Sequence, residues 1–112
     1  MTNLGKAGSK YDFLNDLADV FEATKKALAV LPRASVVAES VGAEGGKDWL
    51  LEAVDVTALL RFKDDVIIRS RQEGTDVVVD VRSASRLGKG DLGKNAARIR
   101  EYLAALQKEL SL

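Results

Sequence analysis

The chain has 112 residues, of which 46% are hydrophobic and 30% are charged, and this composition is typical of one globular domain. Lys plus Arg and Asp plus Glu number 17 each, so the formal net charge is zero, which disfavours generic binding to nucleic acid. Neither Cys nor His occurs, which excludes disulfides, thiolate nucleophiles, Ser-His-Asp triads and zinc or haem sites built on nitrogen and sulfur ligands. Carboxylate, Lys, Tyr, Ser/Thr and Arg chemistry remains, together with oxygen-only sites for Mg²⁺ or Ca²⁺.

The first nine residues are small and polar, and they predict a flexible tail ahead of a single domain over residues 10–112. The start of the chain has no basic stretch followed by an apolar segment, and no later run approaches the length that spans a membrane. We therefore expect a cytoplasmic protein without a membrane partner.

The first predicted helix covers about 16–31 and begins at Asn15 or Asp16, either of which is a good N-cap. Residues 11–14 ahead of it are compatible with a short strand or with an extra helical turn. The apolar residues of the helix recur at helical spacing until Pro32 ends the pattern, and they are Leu17, Val20, Phe21, Thr24, Leu28 and Leu31.

Four strands are predicted to follow, in two hairpins. The first hairpin joins the β-branched segment 35–41 to segment 49–56 through a Gly-rich loop. The second joins 66–71 to 77–82 through the tight turn 72–76, in which Gly74 can adopt the left-handed conformation. If Glu73 and Gly74 form the loop, Gln72 pairs with Thr75, Ile67 lies opposite Asp80, and Asp65 lies opposite Arg82.

A second helix is predicted after Asp91, which can act as its N-cap. Its apolar stripe is the most regular in the chain and consists of Leu92, Ala96, Ile99, Leu103, Leu106 and Leu110. The predicted fold class is α+β: a two-layer sandwich in which both helices pack on one face of a four-stranded antiparallel sheet and leave the other face open.

Two segments of this chain, 62–66 and 81–99, carry a long pattern of polar residues and glycines. They contain Phe-Lys-Asp-Asp-Val and then Arg-Ser-Ala-Ser-Arg-Leu-Gly-Lys-Gly-Asp-Leu-Gly-Lys-Asn, with Arg98-Ile99 after it. The pattern resembles the signature of the bacterial and plastid family named domain of unknown function 1499, and the resemblance covers most of residues 16–108. Many members carry Glu where this chain has Ile67. The resemblance implies no established activity, substrate or cofactor, and we predict no cofactor.

The polar residues of this pattern allow two interpretations. In the first, an Arg/Ser/Asn loop binds an anion or a partner, because guanidinium groups hold carboxylate or phosphate in bidentate fashion; its residues are Arg82, Ser83, Ser85, Arg86, Asn95 and Arg98. In the second, which the sequence favours, a structural polar network of Asp64, Asp65 and Asp91 fixes the loop from sheet to helix, with Asp65 binding Arg82 and Asp91 capping the helix.

Other sites are less favoured. Asp64, Asp65 and Asp80 could hold Mg²⁺, but adjacent strand residues point to opposite faces of a sheet and the neighbouring arginines compete for the carboxylates, so no metal site is predicted. Gly88, Gly90 and Gly93 lack the spacing of known phosphate-binding loops. We interpret Trp49 as a core or sheet-edge anchor rather than a binding aromatic.

These observations predict a non-enzymatic binding or accessory domain that engages a small anionic ligand or a protein partner through the Arg/Ser/Asn loop and the open sheet face. The alternatives are an enzyme that uses Asp64, Asp65 or Asp80 with Arg82 and Arg86, or a domain whose motif is purely structural. A homodimer through the open face is a further hypothesis, since Ile67 and Val78 are predicted to project outward among charges of both signs.

Overall fold

The computed structural model describes residues 7–11, 17–41, 48–58, 60–74, 76–86 and 93–110. Its elements in chain order are β1 (Ala7–Tyr11), α1 (Leu17–Ala27), a short 3-10 helix (Leu28–Val30), β2 (Ser35–Val41), β3 (Asp48–Val56), β4 (Lys63–Glu73), β5 (Asp76–Ser85) and α2 (Lys94–Leu110).

The strands form one antiparallel sheet in the order β1-β5-β4-β3-β2, and both helices pack on the same face of it. The predicted α+β sandwich is confirmed, and all four predicted strands are present. The sheet also has a fifth strand, β1, which includes residues 7–9 of the predicted tail and pairs with β5 from Ala7–Val81 to Tyr11–Val77. Tyr11 therefore belongs to a strand.

The hydrophobic core lies between the helices and the inner face of the sheet. Strands β3 to β5 contribute side chains that are essentially inaccessible, among them Leu51, Ile68 and Val79, and the helices cover them with residues such as Val20 and Leu106. Trp49 packs edge to face on Phe21, with ring centroids 5.0 Å apart. The half-buried Trp49 therefore anchors the core, as the sequence predicted.

The turn between β4 and β5 sets the register of the central hairpin. Glu73 pairs with Asp76, so Gly74 and Thr75 lie between the paired residues, and Gly74 has the left-handed φ of 61° that this type of turn requires. The predicted loop of Glu73 and Gly74 is wrong by one residue, and the pairing of Gln72 with Thr75 is wrong because Gln72 lies opposite Val77.

The corrected register moves each predicted partner by two positions. Ile67 lies opposite Arg82 rather than Asp80, and Asp65 lies opposite Ala84 rather than Arg82. Because side chains alternate with a period of two, a shift of two leaves every residue on its predicted face. Asp65, Ile67 and Arg82 therefore share the open face as expected.

Candidate functional site

A buried polar cluster lies at one end of the sheet, beneath the first turns of α2. Asp55 on β3 and Asp64 on β4 are direct cross-strand neighbours, and Ser85 follows Asp64 in the same row. Arg98 of α2 lies above the two carboxylates and is only 7% exposed. We call this cluster the Arg98 network; its members are Asp55, Asp64, Ser83, Ser85, Asn95 and Arg98.

The guanidinium of Arg98 joins three strands. Its Nε donates to Asp55 Oδ2 at 2.7 Å, its Nη2 to Asp64 Oδ2 at 2.8 Å, and its Nη1 to Ser83 Oγ at 2.9 Å. Two like charges placed side by side on adjacent strands repel each other, so a cation between them is required when they are buried. The Arg98 network is therefore an internal ionic network that fastens α2 to the sheet.

Neutral side chains complete the network. Ser83 Oγ donates to Asn95 Oδ1 at 2.6 Å, and the amide of Asn95 donates to Ser85 Oγ at 3.4 Å. Lys94, at the start of α2, places Nζ 3.6 Å from Asp64 Oδ2 and balances the second carboxylate. Asp64 Oδ1 is buried without a hydrogen-bond partner among the described residues.

The structure divides the residues predicted for the anion-binding loop between two faces. Ser83, Ser85, Asn95 and Arg98 lie in the Arg98 network and are buried. Arg82 and Arg86 lie on the open side of the sheet and are exposed. Asp91, the predicted helix cap, lies outside the described residues, as do Gly88 and Gly90.

Asp55 is a member of the network that the sequence prediction missed. It stands in the otherwise apolar end of β3, between the buried Val54 and the half-buried Val56. An isolated carboxylate in such a run is the signal that could have identified it, because a buried charge requires a partner.

The predicted ion pair between Asp65 and Arg82 is wrong. The partner of Asp65 is Arg86, whose Nε and Nη2 approach Asp65 Oδ1 at 3.0 and 2.9 Å. Arg86 reaches Asp65 because its backbone N–H donates to the carbonyl of Lys63, which holds the two strand ends together. The hydrogen bonds from Arg86 to Asp65 raise the pKa of Arg86 above its ordinary value.

Two adjoining grooves cross the open sheet face, with volumes of about 390 and 370 Å³, and both are lined by Ile67 and Arg82. The first groove is also lined by Val37, Glu52, Asp65, Ala84 and Arg86. The second is also lined by Leu50, Arg69 and Asp80.

Most of the charges around these grooves are paired with one another. Arg69 donates to Asp48 at 2.8 and 2.5 Å, and these hydrogen bonds lower the pKa of Asp48 below its usual range. Arg71 donates to Asp80 at 3.3 Å. Within the part of the chain that the structure describes, the exposed side chains of Arg82 and Glu52 form neither a hydrogen bond nor an ion pair.

The three carboxylates considered for Mg²⁺ do not converge. Asp64 is buried on the inner face beside Arg98, whereas Asp65 and Asp80 lie on the open face with Arg86 and Arg71. No group of three or more acidic side chains is arranged to hold a metal ion in the described ranges.

The molecule is thus a two-layer α+β domain in which a buried ionic network joins the second helix to an antiparallel sheet whose other face is open. A model of the family described as "Protein of unknown function (DUF1499)" matches residues 9–106. The chain belongs to this family, which confirms the resemblance seen in its sequence. A comparison with curated proteins finds no match. None of the helices in the described ranges combines the length and the apolar character that crossing a membrane requires.

Proposed function

We propose that this protein is a non-enzymatic binding domain that holds a small organic anion on its open sheet face, with Arg82 as the anchoring residue. Arg82 carries the proposal because it is an exposed cation that lines both grooves and forms no ion pair with the described residues. An unpaired guanidinium offers a planar set of donors that suits carboxylate or phosphate.

The lining of the grooves favours a ligand that is partly apolar. Val37, Ile67 and Ala84 form the apolar part of the first groove, which also contains the ion pair between Asp65 and Arg86. Its volume of about 390 Å³ falls in the range of sites for small molecules. We therefore expect a carboxylate or phosphate attached to a small apolar group.

The alternative functions, an enzyme or a purely structural domain, have less support. An enzyme based on Asp64, Asp65 and Asp80 would need carboxylates that act together, and these lie on two faces of the sheet. The structural interpretation suits the buried residues of the family pattern, which belong to the Arg98 network, but it gives no role to the exposed Arg82. A cytoplasmic location and the absence of a nucleic-acid partner stay predictions from the sequence.

The proposal predicts that Arg82→Ala abolishes anion binding without unfolding the domain. Thermal unfolding should be measured against a panel of small carboxylates and phosphates, because a ligand that binds the native state raises the melting temperature with its concentration. We expect this rise in the parent and in Arg100→Ala, which removes an exposed arginine from α2, but not in Arg82→Ala. The free energy of unfolding of Arg82→Ala without ligand should lie within about 0.5 kcal/mol of the parent.

Two outcomes would contradict this proposal. One is that no anion of the panel shifts the unfolding of the parent. The other is a shift of equal size in Arg82→Ala, which would place the anion elsewhere on the molecule. If Arg82→Ala is clearly less stable than the parent in the absence of ligand, Arg82 has a structural role instead.

We further propose that the open face supports a homodimer. Glu52, Ile67 and Arg82 stand side by side on β3, β4 and β5. In a two-fold contact whose axis runs along β4 through Ile67, Arg82 of each copy faces Glu52 of the other. Val78, predicted as a second outward apolar residue, is only 6% exposed, so the apolar part of the contact depends on Ile67 and the half-buried Leu50.

Light scattering at high micromolar concentration should therefore detect a dimer. We expect Arg82→Glu to dissociate it, and Arg82→Glu combined with Glu52→Arg to restore it, because the exchanged charges meet again across the axis. Ile67→Lys should give a monomer, whereas Leu60→Lys, an equivalent change outside this face, should not. A parent protein that stays monomeric at that concentration would refute the dimer but leave the anion site untouched.

A further inference from the structure

The turn between β3 and β4 presents apolar and basic side chains together. It is closed by backbone hydrogen bonds, since Thr57 N donates to the carbonyl of Phe62 at 2.8 Å and Arg61 N to that of Thr57 at 3.1 Å. The hydroxyl of Thr57 accepts a third bond from Phe62 N at 2.9 Å. The side chains of this turn therefore project from a backbone that three hydrogen bonds hold in place.

Two large apolar side chains of the turn face the solvent. Leu60 is 63% exposed and Phe62 is 39% exposed, and they account for two of the four exposed large hydrophobic residues in the described part of the chain. Neither belongs to the core cluster or to the grooves of the open face. Their exposure is thus not explained by the packing of the domain.

Among the described residues, the exposed charged side chains of the turn and of the adjoining residue 33 are positive. Arg61 and Lys63 are exposed, and Arg33 donates from Nε to the carbonyl of Val56 at 2.8 Å, which holds a third cation beside the turn. The nearby carboxylates of Asp55 and Asp64 are buried under Arg98. The surface is therefore locally cationic, although the net charge of the chain is zero.

Arg61 has a backbone conformation that does not favour arginine. Its φ of 60° lies in the left-handed region, which Gly and Asn occupy at lower cost than residues with long side chains. Arg61 is the sole non-Gly residue with positive φ among those the structure describes. Glycine would adopt this backbone conformation at lower cost, so the presence of arginine at position 61 requires another explanation.

We propose that this surface, which we call the basic apolar tip (Arg33, Leu60, Arg61, Phe62 and Lys63), docks on an anionic lipid surface. Apolar side chains that are exposed on a turn can enter the boundary of a bilayer without a matching pocket, while adjacent cations stay at the level of the anionic headgroups. An acidic protein surface would need a concave counterpart for the same side chains, so the lipid surface is the better fit. Such contact is peripheral and reversible, because only two apolar side chains enter.

This inference is independent of the Arg82 site, which lies on the open sheet face. The expectation that the protein has no membrane partner was drawn from the lack of a membrane-spanning run and from a start of the chain without a basic stretch followed by an apolar segment. Neither property describes the local surface of one turn.

Sedimentation of the full chain with vesicles tests the proposal. We expect binding to vesicles of phosphatidylcholine mixed with phosphatidylserine, weakening as salt is added, and little binding to phosphatidylcholine alone. Arg61→Gly should lower the affinity about fivefold, the effect of one basic residue at an anionic surface, and should raise the melting temperature because it relieves the left-handed residue. Leu60→Asp should lower the affinity by more than about tenfold.

Matched controls separate the tip from general surface changes. Lys26→Ala removes an exposed cation from α1, and Val36→Asp changes an exposed apolar residue that lies outside the tip and outside both grooves; both should bind vesicles like the parent. The proposal is overturned if the parent does not sediment with anionic vesicles, if it binds neutral vesicles equally, or if Arg61→Gly and Leu60→Asp bind as the parent does. Retention on an acidic protein matrix, without binding to vesicles, would assign the tip to a protein partner instead.

Discussion

Replacing Arg98 with methionine is expected to destabilise the protein by about 3–5 kcal/mol. The substitution keeps much of the aliphatic volume but removes the cation that lies between Asp55 and Asp64, whose carboxylates are cross-strand neighbours. Two buried like charges would then face each other with only the partly exposed Lys94 nearby. Urea unfolding at neutral pH should show a lower midpoint with an unchanged slope.

A combined variant separates the charge from the loss of packing. Arg98→Met together with Asp55→Asn and Asp64→Asn removes all three charges, so it should recover a large part of the lost stability. Arg100→Met, on the exposed side of the same helix, should change the unfolding free energy by no more than about 0.5 kcal/mol. If Arg98→Met unfolds at the same urea concentration as the parent, the Arg98 network does not hold the fold.

The outcome also bears on the family pattern. The pattern seen in the sequence contains both buried and exposed residues, because strand β5 sends Ser83 and Ser85 inward and Arg82 outward. A large loss of stability on replacing Arg98 and a small one on replacing Arg82 would show that one continuous motif serves two purposes. The buried half would specify how the helix joins the sheet, and the exposed half would remain available to a ligand.

The strands and helices were predicted well wherever local pattern and burial agree. Segment 35–41 was predicted with the observed bounds of β2, and the predicted apolar stripe of α2 includes Ile99 and Leu106, which are buried. Strand β1 was missed because Ala7, Gly8 and Ser9 have little preference for extended structure. Pairing with β5 defines that strand. Because the two segments are about seventy residues apart, their pairing gives no signal in the local sequence.

The candidate site was also predicted only in part, because its ion pairs depend on how distant segments are aligned. Alternation along β4 and β5 placed Asp65, Ile67 and Arg82 on one face, and the structure agrees. The ion pair of Asp65 was assigned to Arg82 instead of Arg86 because it depended on the position of the turn, and Glu73, predicted as a loop residue, is paired with Asp76. Asp55 was missed because its neighbour Asp64 and its partner Arg98 lie on other elements of the fold.

The net charge of zero does not reveal two local features, the unpaired Arg82 and the basic apolar tip. Positive and negative charges are equal in number over the whole chain. Whether an individual charge is neutralised depends on which side chains lie close to it. Arg69, Arg71 and Arg86 find carboxylates on the open face, whereas Arg82 does not. The sum of charges therefore described the long-range field and said nothing of an individual unpaired cation.

Replacing Tyr102 with alanine is expected to destabilise the protein by about 3–5 kcal/mol. Its side chain is fully buried, and its hydroxyl donates to the carbonyl of Thr24 at 2.8 Å, so it joins α2 to α1 across the core. Truncation would leave a cavity between the helices and a carbonyl without its partner. Tyr102→Phe removes the hydrogen bond alone and should cost about 1 kcal/mol.

Comparison of these two variants by chemical denaturation isolates packing from hydrogen bonding. The neighbouring Leu103 is only partly buried, so Leu103→Ala serves as a control and should lose clearly less stability than Tyr102→Ala. Equal losses for Tyr102→Ala and Leu103→Ala would contradict the central position of Tyr102. A loss in Tyr102→Phe as large as in Tyr102→Ala would instead attribute the stability to the hydrogen bond, because the phenylalanine ring fills the same space between the helices.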